Sequence, residues 1–172
     1  MTVRRAAPEE TQAVISFYYD LIDEMKDDPF RPTWFKGVYP LLSDLREAAE
    51  NGWLWIAVEE DGSVVGAVVV NNRQGKGYDE VNWNVTTDAV AVVHLLGTAP
   101  RLHGRGIGRS LLESARDAAR EMGAEVIRLD TLPHNAPGRH LYESFGFQYC
   151  GNMELYYPST GVTPFSMYEY IL

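Results

Sequence analysis

The stretch Val90-Ala91-Val92-Val93-His94-Leu95-Leu96-Gly97-Thr98-Ala99-Pro100-Arg101-Leu102-His103-Gly104-Arg105-Gly106-Ile107-Gly108-Arg109 decides how the chain is read. Its first nine residues are β-rich and nearly all apolar, the pattern of a buried strand. Pro100 ends that strand. Gly104, Gly106 and Gly108 then lead into a helix running to about Met122. Ile107, Leu111, Leu112, Ala115, Ala118, Ala119 and Met122 form its apolar stripe; Arg109, Glu113, Arg116, Asp117 and Arg120 form its wet face. Glycines let backbone N–H groups come close to a ligand. Unpaired N–H groups and the dipole at a helix N-terminus favour an anion, so a phosphate or pyrophosphate is the natural guest. A tight turn with no ligand is the other reading of these residues.

Working outward, the order predicted is β-α-α-β-β-β-α-β-α-β-β. Val3 to Arg5 reads as a strand. Pro8 and Glu9 open a helix to about Lys26, with Val14, Ile15, Tyr18, Leu21, Ile22 and Met25 on its apolar side. Asp27 to Pro32 breaks it, and Leu41 to Glu50 forms a second helix ending at Asn51-Gly52. Trp53–Glu59 and Ser63–Val70 flank the acidic turn Glu60-Asp61-Gly62, a hairpin signal. Asn71 to Asp88 is polar, though it carries Tyr78 and Trp83. Downstream lie a strand at Val126–Thr131, a helix at Ala136–Phe145, and strands at Gln148–Tyr156 and Phe165–Ile171. This is an α/β (α+β) domain spanning 1–172, a mixed sheet of seven strands with four helices packed on it.

The chain has 172 residues, 15 Lys and Arg against 24 Asp and Glu, and a net charge of −9. That length suits one domain, and 45% hydrophobic residues suffice for a core. The acid excess disfavours a phosphate-backbone binder, so no nucleic-acid partner is expected, and it favours a cationic small molecule. Cys150 is the single cysteine, which excludes an intrachain disulfide and a multi-cysteine zinc site. Met1 to Glu9 lacks the apolar stretch of a signal peptide, and the run Val64–Val70 falls far short of the ~20 residues of a membrane span. A soluble cytoplasmic protein without a membrane partner is therefore expected.

Two phosphate-binding patterns fail on spacing. No Gly-x-x-x-x-Gly-Lys-Ser/Thr is present. A dinucleotide fingerprint would need its third glycine at Arg109; Asp130 ends a strand at a suitable distance for a ribose contact, but too few elements follow it to complete that fold. A third pattern fits. His103-Gly104-Arg105-Gly106-Ile107-Gly108, after a strand and Pro100, resembles the Arg/Gln-x-x-Gly-x-Gly/Ala donor-binding motif of the GNAT superfamily of acetyl-CoA-dependent N-acetyltransferases, with His103 at the position of Arg or Gln. Arg101-x-x-Gly104-x-Gly106 overlaps it two residues early. The family's second signature, Asn and then Leu-Tyr-Glu-x-x-Gly-Phe, matches Asn135 and Leu141-Tyr142-Glu143-Ser144-Phe145-Gly146-Phe147, with Gly138 where the family usually has Ala. The resemblance covers nearly the whole chain in element order.

The resemblance implies direct attack of an amine on the thioester of acetyl-CoA in a ternary complex, with no metal. Tyr142 matches the tyrosine near the sulfur that acts as general acid or hydrogen-bond donor. Leu96, Gly97 and Thr98 would lie along the pantetheine arm, with the Leu96 N–H as oxyanion donor. His103, Gly104, Arg105, Gly106, Ile107, Gly108 and Arg109 would hold the pyrophosphate, helped by Arg101 and Arg139. Asn135 would contact the donor or serve as a helix N-cap. His94, unexpected in an apolar strand, is the candidate base acting through water; a hydrogen-bonded core histidine is the alternative, and Asp88 and Glu80 are other candidates. The acceptor, a small-molecule or peptide amine, would meet Asp20, Asp23, Glu24, Trp34, Phe35, Tyr156, Tyr157 and Pro158, an acidic and aromatic set suited to a cation. The cleft would then be basic at the donor end and acidic at the acceptor end. A homodimer is compatible with the family. A non-catalytic acyl-CoA-binding module of the same fold stays open as the alternative function.

Overall fold

The computed structural model describes residues 1–172. Seven strands form one sheet: β1 (Thr2–Arg5), β2 (Leu54–Val58), β3 (Val64–Asn71), β4 (Val90–Thr98), β5 (Val126–Thr131), β6 (Gln148–Tyr157) and β7 (Gly161–Ile171). Their spatial order is β1-β2-β3-β4-β5-β7-β6. Every neighbouring pair is antiparallel except β4 and β5, which run parallel. The parallel pair needs a crossover, and the glycine-led helix supplies it. The helices are α1 (Thr11–Glu24), α2 (Leu42–Glu50), α3 (Ile107–Glu121) and α4 (Ala136–Phe145). No helix is long and apolar enough to cross a membrane.

Two glycines show how the layers stack. A Cβ on Gly66 would strike Ile107 Cγ2 of α3 at 2.9 Å, whereas one on Gly97 would approach Leu21 Cδ1 of α1 at 3.1 Å. Gly97 is cross-strand partner to Ala67, whose side chain points opposite to Gly66's position. So α1 and α3 cover opposite faces, and α2 packs beside α1. The central strand β3 is buried along nearly its whole length, because it is covered on both faces.

Two details differ from the sequence reading. Met122 is exposed rather than part of the α3 stripe; it is the C-cap, and the helical period that would turn it inward stops at Glu121. β7 starts at Gly161 and runs through Pro164, because residues 161–164 pair only with β6 and leave one edge free, where a proline is tolerated. The polar segment between β3 and β4 is not a free loop. Tyr78 and Val81 bury into a second small core with Val90, Leu155, Phe165 and Met167.

Candidate active site

β4 carries the central irregularity. Its partners on β3 run Gly97 to Ala67 and then His94 to Val69, so Leu95 and Leu96 together oppose Val68. This is a β-bulge. Leu95 sits at φ 55°, a left-handed conformation that is strained for a leucine. The buried Tyr18 hydroxyl donates to the Leu95 carbonyl at 2.5 Å and holds the bulge in place. On the other side, β5 pairs with β4 only from Val90 to Val92. Beyond that point the two strands part, and a cavity of about 600 Å3 opens between Leu95–Thr98 and Leu129–Thr131.

The end of the cavity at α3 is built from backbone. Gly104 and Gly106 adopt φ 81° and 79°, and a Cβ on either would meet nothing within 4 Å, so their surroundings are open. Gly106 is the N-cap of α3 and supplies no side-chain cap. The N–H groups of Gly106, Ile107, Gly108 and Arg109 have no hydrogen-bond partner within the chain. Four successive unpaired donors at a helix start, facing a cleft, suit a pyrophosphate. At Gly108 a Cβ would strike Leu141 Cδ2 at 2.8 Å, so this glycine lets α4 approach α3.

Most of the residues read from sequence line this cavity: His94, Leu96, Gly97, Thr98, His103, Gly104, Gly106, Ile107, Gly108, Arg109, Asn135 and Tyr142. Arg105 does not; it is exposed, with Nη1 3.7 Å from Glu59 Oε1. Arg101 reaches back to Glu24 at 3.3 Å. Arg139 is turned away, its Nε donating to the Tyr168 hydroxyl at 2.9 Å. The cavity at the start of α3 therefore offers N–H groups more than positive charge.

The acidic set on α1 is corrected. Asp20 is exposed, Asp23 pairs with Lys36, and Glu24 pairs with Arg101, all outside the cavity. They are the solvated face of an amphipathic helix. Trp34 and Tyr157 do line the cavity, but Phe35 and Tyr156 are exposed and do not, nor does Pro158. Glu80 and Asp88 are likewise exposed and outside it. Two other carboxylates do line the cavity, Asp28 and, at the end of β5, Asp130. Asp130 is held by hydrogen bonds. Its Oδ2 accepts from the Tyr78 hydroxyl at 2.6 Å and the Tyr157 hydroxyl at 2.8 Å. Nothing in the local pattern marks this cluster, since its members come from three separate segments.

A family model described as "Acetyltransferase (GNAT) family" matches residues 19–147. The chain belongs to the GNAT family. It is 30% identical to N-alpha-acetyltransferase RimI of Mycobacterium tuberculosis over 141 residues, 82% of this chain and 75% of that protein. It is 35% identical to streptothricin acetyltransferase of Streptomyces lavendulae over 106 residues, 62% of this chain, and the match spans only 50% of that protein's length. A Salmonella typhimurium structure, described as an acetyltransferase with its cofactor acetyl-CoA, has a TM-score of 0.71 at 20% identity, covering 100% of this chain and 94% of that one. The seven-stranded sheet and four helices are thus a GNAT fold.

Within this GNAT fold, Asn135 is a true helix cap. Its Oδ1 accepts from the Gly138 N–H at 3.1 Å, and its Nδ2 donates to Thr131 Oγ1 at 2.9 Å. A Cβ on Gly138 would come within 2.3 Å of Asn135 Nδ2, so the glycine lets the asparagine fold over the helix start. Tyr142 is buried, and its hydroxyl has no partner within the chain although the residue lines the cavity. Burial, then the nearby Asp130 charge, raises its proton affinity above that of an ordinary tyrosine.

His94 Nε2 lies 3.1 Å from Asn71 Oδ1. That oxygen also accepts from the Arg73 N–H at 2.9 Å, which identifies it as the carbonyl end of Asn71 and makes Nε2–H the donor. Burial pulls the His94 pKa down from 6.5 to about 4. The folded protein therefore holds fewer protons than the unfolded chain between about pH 6.5 and 4, and stability falls as pH falls through that window. The difference is worth about 3 kcal/mol. Urea denaturation at pH 7 and pH 4.5 should show this loss in the native protein and a smaller loss in His94→Gln. An equal loss in both would mean that His94 titrates as a solvated imidazole.

Proposed function

We propose that residues 1–172 form one N-acetyltransferase domain that moves an acetyl group from acetyl-CoA to a primary amine of a small molecule or peptide. One arrangement carries this reading: a bulged strand parted from its neighbour, four unpaired N–H groups at a helix start, and an unpartnered tyrosine hydroxyl, all facing one cavity. The parted edge of β4 suits an extended, amide-bearing arm, which can lie beside it as another strand would. The α3 N-terminus suits the pyrophosphate. The relatives' names agree in class: one is an N-alpha-acetyltransferase and another a streptothricin acetyltransferase.

When bound, acetyl-CoA supplies the activated acyl carbon and the thiolate leaving group. In this reading the Leu96 N–H, in the bulge, donates to the acyl oxygen as charge develops there. The Tyr142 hydroxyl donates to the sulfur. With its proton affinity raised, Tyr142 acts by hydrogen bonding rather than by full transfer to a thiolate of pKa ~8.5. His94, neutral at pH 7, takes the acceptor's proton through water; its low basicity means that it hands the proton on to solvent rather than keeping it. Leu21, Trp34 and Leu102 wall the cavity and limit water.

A panel of primary amines with acetyl-CoA, followed by thiol release, tests the proposal. Turnover with at least one amine and tight CoA binding are expected. Failure to bind CoA would overturn the reading. CoA binding without turnover on any amine would favour a non-catalytic acyl-CoA-binding module instead.

A further inference from the structure

We propose that the Asp130 carboxylate, hung between Tyr78 and Tyr157, is the subsite that receives the acceptor as an ammonium ion. The inference rests on the acetyltransferase reading above and names the substrate's charge state and its anchor.

Asp130 lies at the end of β5, paired in register with Met167 of β7, and its side chain borders the cavity. Oδ2 is fully engaged by two phenolic donors, whereas Oδ1 has no hydrogen-bond partner within the chain. No Lys, Arg or His comes within 4.0 Å of the carboxylate, so it forms no salt bridge. A carboxylate in an interior without a cation is costly, and such groups normally have a charged partner. Glu169, fully buried, is paired with Arg128 at 2.9 Å, whereas Asp130 is partly buried where β5 borders the cavity. Asp130 has only neutral donors, and one of its oxygens is left over beside an open cavity.

The missing partner is described by the surroundings. Tyr157 packs its ring against Tyr39 at 5.8 Å and Phe165 at 5.1 Å, so aromatic surface flanks the carboxylate. Ring faces attract a cation and do little for an anion or a neutral alcohol. A primary ammonium brings three donors, one of which can take Oδ1 as a charge-assisted bond. Tyr142, Tyr39 and His94 also line the cavity, and none carries a positive charge at pH 7 that would compete. Arg31 and Arg109 line the cavity too, but neither reaches Asp130, and Asp28 is its only other carboxylate. Asp130 sits close enough to Tyr142 for its charge to raise the tyrosine's proton affinity. An amine held there shares one cavity with the group proposed to meet the sulfur. Burial raises the Asp130 pKa above the usual carboxylate value, and the two tyrosine hydroxyls work against that rise by favouring the ionised form, which is the form that the anchor needs.

The test is a binding measurement on the full chain saturated with CoA, which carries no acetyl group and so permits no turnover. Primary ammonium ions, n-butylammonium and phenethylammonium, are titrated against n-butanol and phenethyl alcohol by calorimetry at pH 7. The native protein should prefer each ammonium by at least 10-fold. Asp130→Asn should remove that preference while CoA affinity stays within twofold. Tyr157→Phe, which removes one donor to the carboxylate and leaves its charge, should weaken ammonium binding less than Asp130→Asn does. On acidification the preference should disappear as the carboxylate takes a proton. Equal binding of ammonium and alcohol by the native protein would overturn the inference without any variant, and so would a preference that survives in Asp130→Asn. Loss of CoA binding by the native protein would instead strike the acetyltransferase reading, and the ammonium subsite would fall with it.

Discussion

Tyr142→Phe is expected to lower kcat about 100-fold, equivalent to about 2.7 kcal/mol of barrier, and to leave CoA affinity within twofold. The prediction follows from what the hydroxyl does and does not touch. The ring packs against Phe147 at 5.9 Å and Tyr168 at 6.0 Å, contacts that phenylalanine keeps. The hydroxyl has no partner in the chain, so its removal leaves no buried group unsatisfied. Folding should therefore change little, and any loss of rate reports the chemistry. Losing one fixed donor at a site of developing charge costs about 2.7–4 kcal/mol in well-studied enzymes; sulfur is a weaker acceptor than oxygen, which sets the lower end. Steady-state kinetics on the best amine of the panel, with CoA binding measured alongside, gives the split. An unchanged kcat would remove Tyr142 from the reaction. A fall in CoA affinity matching the fall in kcat would make it a binding residue only.

Local pattern carried the end of the cavity at the α3 N-terminus. Gly106 and the apolar period from Ile107 onward place the α3 N-terminus without knowledge of anything distant. Asn135, Pro137 and Tyr142 likewise belong to one continuous segment, so spacing alone brings cap and tyrosine to the same end of the cavity. Around Asp130 less was legible: Trp34 and Tyr157 were named from sequence and line the cavity, but the meeting of Tyr157 with Tyr78 and Asp130 was not. Tyr78 lies 52 residues from Asp130 and Tyr157 lies 27 residues away, and nothing in either neighbourhood specifies the meeting. Asp20, Asp23 and Glu24 show the converse. Helical periodicity says which face of α1 is polar, but not whether that face looks onto a cleft or onto water. Arg139 lies on the same short helix as Tyr142, yet its guanidinium reaches Tyr168 and the Pro133 carbonyl rather than the cavity. His94 was conspicuous as a polar residue in an apolar strand, but its neutrality comes from burial, which the strand itself does not encode.

Glu169→Ala is expected to cost about 3–5 kcal/mol of stability, the largest effect of any single change considered, because it strands a buried guanidinium. Glu169 is 0% exposed and Arg128 5%. Arg128 spends its donors on three acceptors: Nε on Glu169 at 2.9 Å, Nη1 on Gln74 at 2.8 Å and Nη2 on the Val85 carbonyl at 2.8 Å. The other Glu169 oxygen accepts from the Val85 N–H at 3.1 Å, and the Trp83 ring covers the guanidinium at 4.4 Å. The pair therefore clamps the segment between β3 and β4 onto the sheet at Gln74, Trp83 and Val85. Tyr78, which donates to Asp130, lies inside that clamp. Urea denaturation should show the loss, and the surviving folded protein should bind amines less well than CoA affinity alone would suggest, because Tyr78 is no longer held against the carboxylate. The paired replacement Arg128→Met with Glu169→Leu removes both charges and fills the space, so it should recover most of the lost stability. It should not recover amine binding, because the hydrogen bonds to Val85 and Gln74 are still missing. A cost below about 1 kcal/mol for Glu169→Ala, or a double variant no more stable than the single one, would show that the charge pair does not hold this segment.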